Sequence, residues 1–213
     1  YNRGVAYHSL SDYKKAVADY TQTIGIDPNL AMAYNNRGLA YKNLGDNNKA
    51  IADYNQAIKL DPNHANAYNN RGNAYNELGN YKQAIADCTQ AIKIDPKEKK
   101  AYYNRGLAYY NSGDTSKAIA DFTQALKIDS KYAKAYYNRG VAYYGLGDTS
   151  KAISDYTQAI KIDSKDADAY NNRAVSYAKL GDYKSATKDA RKACELGNCK
   201  LLQLLTQKGH LRD

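Results

Sequence analysis

The chain has 213 residues, with 31 Lys and Arg against 22 Asp and Glu, a formal net charge of +9, 43% hydrophobic and 25% charged residues. That balance suits a folded globular chain and excludes disorder as its main state. No run approaches the roughly 18 consecutive apolar residues that a membrane span requires, so membrane insertion is not expected.

Tyr occurs 23 times, Phe once and Trp never, so one residue type is used repeatedly at equivalent places. The tripeptide Asn-Arg-Gly confirms repetition: it falls at Asn36, Asn70, Asn104 and Asn138 with a spacing of 34. The same register reaches back to Asn2-Arg3-Gly4 and forward to Asn172-Arg173-Ala174, giving six copies. They divide residues 1–198 into a truncated first repeat over 1–30, then 31–64, 65–98, 99–132, 133–166 and 167–198. The start at Tyr1 reads as the interior of a longer chain. Residues 199–213 predict a C-terminal capping helix, with Leu201, Leu202, Leu204 and Leu205 on its apolar side.

Each copy predicts two helices. In 31–64, helix A runs through Ala33, Tyr34, Arg37, Gly38 and Tyr41 to a turn at Leu44-Gly45. Asp46 stands where an N-cap belongs. Helix B follows with Ala50, Ile51, Tyr54, Ala57 and Ile58 on one stripe and ends at Asp61-Pro62. Pro28, Pro62 and Pro96 are expected in the first turn of the following helix, and Ser130 and Ser164, which replace Pro, are expected to cap it.

These motifs resemble the tetratricopeptide repeat family: in the third copy Tyr68, Gly72, Tyr75, Ala84, Ala91 and Pro96 match its signature, while Cys88 departs from its aromatic position. The resemblance covers residues 1 to about 198. It implies an all-α, right-handed superhelical solenoid of antiparallel helix-turn-helix repeats, with A helices lining a concave groove. It also implies a protein-interaction scaffold that binds an extended peptide. Two alternatives are a self-assembly module, and the substrate-recognition arm of an enzyme whose catalytic domain lies elsewhere.

Two charged columns run through all copies. Arg37, Arg71, Arg105 and Arg139 face Asp53, Asp87, Asp121 and Asp155 at one repeat position each, and are expected to form structural ion pairs, within a repeat or to the next. The peptide-binding candidates lie on the opposite side of helix A. They are the asparagines Asn36, Asn70, Asn104, Asn138 and Asn172, together with Lys100, Tyr103, Tyr110, Lys134, Tyr137 and Tyr144. Asn is a mediocre helix former, and a carboxamide row offers donors and acceptors to a peptide backbone. It resembles the asparagine ladder in the repeat arm of O-linked N-acetylglucosamine transferase. Replacing Asn70, Asn104 and Asn138 by Ala is expected to spare the fold and weaken binding.

Residues 1–98 carry 11 cations against 10 anions, and residues 99–213 carry 20 against 12, which favours an acidic peptide at the C-terminal half. The family's two-carboxylate clamp is incomplete: Asn73, Asn104 and Lys134 match it, but Asn69 and Asn138 replace two cations. No Arg-rich run or nucleic-acid motif is present, so nucleic acid is not an expected partner. His8, His64 and His210 are dispersed, and no catalytic set, metal-ligand motif or phosphate loop appears, so neither enzyme activity nor a cofactor is expected. Cys88, Cys194 and Cys199 do not make a disulfide framework; Cys194 and Cys199 are expected as unpaired thiols, in a chain placed in the cytoplasm.

Overall fold

The computed structural model describes residues 1–207, and among these residues there are thirteen helices and no strand. In chain order they are α1 (Asn2–Ser9), α2 (Tyr13–Ile26), α3 (Ala31–Asn43), α4 (Asn47–Leu60), α5 (Ala65–Glu77), α6 (Tyr81–Ile94) and α7 (Lys99–Asn111). There follow α8 (Thr115–Ile128), α9 (Ala133–Gly145), α10 (Thr149–Ile162), α11 (Ala167–Lys179), α12 (Tyr183–Glu195) and α13 (Lys200–Gln207). The chain forms two compact units, Tyr1–Ser112 and Gly113–Asp213. In each, helices adjacent in sequence pack together, and successive A helices also touch: α3 with α5 and α5 with α7 in the first unit, α9 with α11 in the second.

Local chemistry sets the turns. From helix A to helix B the chain passes through a left-handed residue at Gly45, Gly79, Gly113, Gly147 and Gly181, a conformation that costs glycine nothing. In the first copy Ser11 adopts it instead, at φ 60°. Helix B then starts on an aspartate whose carboxylate accepts the N–H three residues on: Asp46 from Lys49 at 3.0 Å, Asp114 from Lys117 at 3.2 Å, Asp148 from Lys151 at 3.2 Å.

The turn from helix B back to helix A corrects the sequence reading. Pro28, Pro62 and Pro96 lie ahead of the following helices, and Ser130 and Ser164 cap nothing. The preceding aspartate organises the turn. Asp27, Asp61, Asp95, Asp129 and Asp163 each accept a hydrogen bond from the backbone N–H two residues on, at 2.8–3.0 Å. This Asx turn uses no N–H from the residue between, so Pro and Ser serve equally.

The core of each hairpin is a column of fully buried alanines around one ring, Tyr20, Tyr54, Phe122 or Tyr156, with Cys88 in the third copy. The ring lies directly on the helix-A glycine: a Cβ at Gly38 would stand 2.8 Å from Tyr54 Cε1, and one at Gly140 would stand 2.8 Å from Tyr156 Cε1. In the sixth copy the ring position is Ala190 and the glycine position is Ala174.

The predicted cap forms α13, which packs on α11 and α12 through buried Leu201 and Leu205. The remainder of the expected capping helix, including Lys208 and His210, lies outside the described residues. Cys194 and Cys199 are not free thiols: the turn at Gly197, with φ 103°, brings their Cα atoms to 4.0 Å, and they form a disulfide. No helix among the described residues is long and apolar enough to cross a membrane.

Candidate functional site

The arginine column is tied on both sides. Within a hairpin, Arg37 donates from Nη2 and Nε to Asp53 at 2.7 and 2.8 Å, and Arg71 to Asp87 at 2.6 and 2.7 Å. Arg139 reaches Asp155 with both bonds at 2.8 Å. Arg173 and Asp189 repeat the fork. The remaining nitrogen, Nη1, donates backward to helix B of the preceding repeat: Arg37 to Thr21 at 3.2 Å, Arg71 to Asn55 at 2.7 Å, Arg105 to Thr89 at 3.1 Å, Arg139 to Thr123 at 2.9 Å and Arg173 to Thr157 at 3.0 Å. Tyr34 and Tyr41 flank Arg37, their ring centres 5.6 and 6.0 Å from its Cζ. The hydrogen bonds that Arg37 donates to the Asp53 carboxylate hold its guanidinium above its usual basicity. Asp53, Asp87, Asp121 and Asp155 are all buried. These cations therefore staple repeats together. The Thr and Asn acceptors, 16 residues before each arginine, escaped the sequence reading because nothing in one helix shows which helix lies beside it.

The asparagine row is also engaged. Asn70 Nδ2 donates to Asn35 Oδ1 at 3.0 Å and Asn104 Nδ2 to Asn69 Oδ1 at 2.9 Å, while Asn36 and Asn172 donate to the hydroxyls of Tyr1 and Tyr137 at 2.7 and 3.0 Å. Asn138 Nδ2 bonds the carbonyl of Lys134 at 2.9 Å. Asn35 and Asn69 are 7% and 4% exposed, so their carbonyl oxygens depend on these donors. Alanine at Asn70 or Asn104 would leave a buried acceptor without its partner, which weighs against the expectation that such replacements spare the fold. Oδ1 of Asn70 and Asn104 makes no hydrogen bond within the described residues and remains an open acceptor.

Two cavities open beside this row, one in each unit. In the second unit Val141, Tyr144, Tyr156, Asn172 and Val175 enclose about 90 Å³. In the first, Val5, His8, Tyr20, Asn36 and Leu39 line about 140 Å³. Residue by residue these are the same repeat positions, four periods apart. In both, the helix-B ring and an asparagine of the row take part. Burial lowers the basicity of His8, whose Nε2 lies 3.0 Å from Asn43 Nδ2. Of the remaining candidates, Tyr137 reaches Asn172, and Tyr144 lies beneath Lys179 Nζ at 4.5 Å. Tyr103 and Tyr110 are half-buried, and Lys100 and Lys134 are exposed and line neither cavity.

Comparison with known proteins gives the hairpins a family. Tetratricopeptide repeat profiles match residues 31–64, 65–98 and 133–166, a second such profile matches 88–120 and 155–188, and a TPR repeat profile matches 4–45 and 108–147. The chain belongs to the tetratricopeptide repeat family. It is built as a scaffold for protein interactions. A search of curated proteins gave no match. Among solved structures, MamA is 30% identical with a TM-score of 0.68 over 75% of this chain and 93% of its own. PilW, a type IV pilus biogenesis factor, is 21% identical with a TM-score of 0.87 over 96% of both chains. YrrB, a TPR protein with an unusual peptide-binding site, is 23% identical with a TM-score of 0.68 over 89% of this chain and 97% of its own. The last two likenesses establish the fold alone.

Proposed function

We propose that the A-helix face binds an extended peptide segment of a partner protein, seating small apolar side chains between successive A helices while asparagine carbonyls accept backbone N–H groups. The observation that carries this reading is the recurrence of one cavity, with an aromatic ring and an asparagine among its lining residues, at the same repeat position in each unit. Packed helices lie on the order of 8–10 Å apart. A polyproline-type chain brings every third side chain to the same side after about 9 Å. The ligand is therefore a segment with an aliphatic residue at every third place. Exposed Lys100 and Lys134 favour carboxylates between those places. The positions of Leu39, Leu107, Val141 and Val175 are aliphatic in each of their copies, whereas Asn73 makes the third copy polar.

Peptide selection by phage display on the whole chain, followed by titration of the enriched peptides, tests this. Val175→Phe and Leu39→Phe fill the cavities and are expected to cut affinity at least about tenfold while the melting curve stays cooperative. Enriched peptides that lack the three-residue period, or that bind both variants as well as the parent, would overturn the proposal.

A further inference from the structure

The last helix B differs from the other five at three neighbouring places. Where the earlier copies have Ala or Ser (Ala18, Ala52, Ala86, Ala120, Ser154), the sixth has Lys188. The column Thr21, Asn55, Thr89, Thr123, Thr157 ends in Arg191, and the column Gln22, Gln56, Gln90, Gln124, Gln158 ends in Lys192. Three columns that are neutral five times over become cationic together. With Lys184 they lie on one face of α12 at helical spacing. That face lines a cavity of about 970 Å³, bounded on the α11 side by Tyr170.

The change at Arg191 alters what the surface can accept. In the earlier copies this is the socket for the next arginine: Thr or Asn offers an oxygen and the guanidinium donates. In α12 the socket itself is a guanidinium, and the register places Gln207 where the next arginine would stand. A seventh arginine would meet like charge there. Arg191 is itself engaged within the chain, and Lys184 and Lys188 beside it leave the face with positive charge that favours an anionic partner. Lys184 and Lys188 are exposed and pair with no carboxylate among the described residues, while Lys192 holds Glu195 at 2.8 Å in a solvent-exposed pair. Asp189, also on the lining, is occupied by Arg173.

We infer that this outer face of the last hairpin is a second docking surface, which takes an Asp- and Glu-rich segment of a partner protein. It is separate from the A-helix cavities: it shares no residue with the one in the second unit. A polypeptide is favoured over nucleic acid because the cations form a single compact cluster with two carboxylates in its lining, whereas a phosphate backbone is tracked by an extended stripe. Tyr170 adds an amphipathic ring suited to a peptide.

The test uses fluorescence anisotropy of a labelled oligoglutamate peptide with the whole chain. The variant Lys188→Ala/Arg191→Thr/Lys192→Gln restores the residues of the earlier copies, which already fold in that setting. It should weaken binding by at least about tenfold and flatten the salt dependence. Lys188→Glu alone should weaken it in the same direction, and Val175→Phe should leave it unchanged. Equal affinity of parent and triple variant would overturn the inference. So would a single-stranded oligonucleotide that binds the parent more tightly than the peptide does and is released by the same substitutions, since the surface would then serve nucleic acid.

Discussion

In Tyr1–Ser112 two seams between A helices are amide to amide, Asn70 to Asn35 and Asn104 to Asn69, whereas the seam from Asn36 to Tyr1 and, in Gly113–Asp213, the one from Asn172 to Tyr137 end on a hydroxyl. The first arrangement buries the accepting asparagine almost completely. The second keeps its acceptor on a half-buried tyrosine, whose hydroxyl can turn to solvent when the donor is lost. One repeat plan thus tolerates two seam chemistries with different penalties for failure. The arginine fork onto aspartate, by contrast, repeats at the interior hairpins of both units and supplies the control.

The largest effect belongs to that control. Asp87→Leu in the first unit and Asp155→Leu in the second each strand a guanidinium whose side chain is only 18% and 17% exposed. Both should cost about 3–5 kcal/mol by urea unfolding. Arg71→Leu and Arg139→Leu should cost less, because the carboxylate left behind can take up a proton. At the first hairpin, where Arg3 is 69% exposed, Asp19→Leu should barely move the midpoint. Unequal costs for Asp87 and Asp155 would mean that the staple too differs between units.

The seam itself comes next. Asn104→Ala deprives the buried Asn69 oxygen of its donor and should cost about 1–3 kcal/mol, less the few tenths gained from better helix propensity. Asn172→Ala should cost under about 1 kcal/mol, since Tyr137 rehydrates. Equal midpoints for the two variants would erase the distinction between amide and hydroxyl seams. A smaller effect separates the A-to-B turns: Ser11→Gly relieves a left-handed serine and should stabilise the first unit by about 1 kcal/mol, raising its melting temperature.

The smallest difference is in acid. In the second unit all three B helices start on aspartates, Asp114, Asp148 and Asp182, whose hydrogen bonds hold their carboxyls below the usual range. In the first, Asp12 and Asp46 do the same, but Asn80 caps nothing. A depressed folded-state pKa stabilises above the unfolded value, near pH 4, and that contribution disappears as pH falls through the folded one. Amide exchange at the starts of α8, α10 and α12 should therefore rise below about pH 4, while that at α6 stays flat. A pH-independent profile at all four would remove the aspartates from the account.

The period, the hairpins and the pairing of Arg37 with Asp53 were legible because each is a relation within 34 residues of sequence. The backward bonds, Arg71 to Asn55 and Asn70 to Asn35, were not: they depend on how far one hairpin is rotated against the last, which no column of letters encodes. The role of Asp61 in its turn was masked by the more conspicuous Pro62. The open asparagine oxygens and the paired cavities needed coordinates as well, since Tyr156 reaches Val141 and Asn172 from another helix.

The contact between the helix-A glycine and the helix-B ring constrains the order in which such a repeat can change. While Tyr54 is present, even one methyl at Gly38 meets its ring at 2.8 Å, so that step is closed. Loss of the ring leaves space and no clash, so the reverse step is open, at the expense of packing. The sixth copy, with Ala190 and Ala174, is what such a path leaves at its end. The third copy has lost the ring yet keeps the step closed, since a methyl at Gly72 would stand 2.7 Å from Cys88 Sγ, so the glycine becomes replaceable only opposite a side chain as small as that of Ala190.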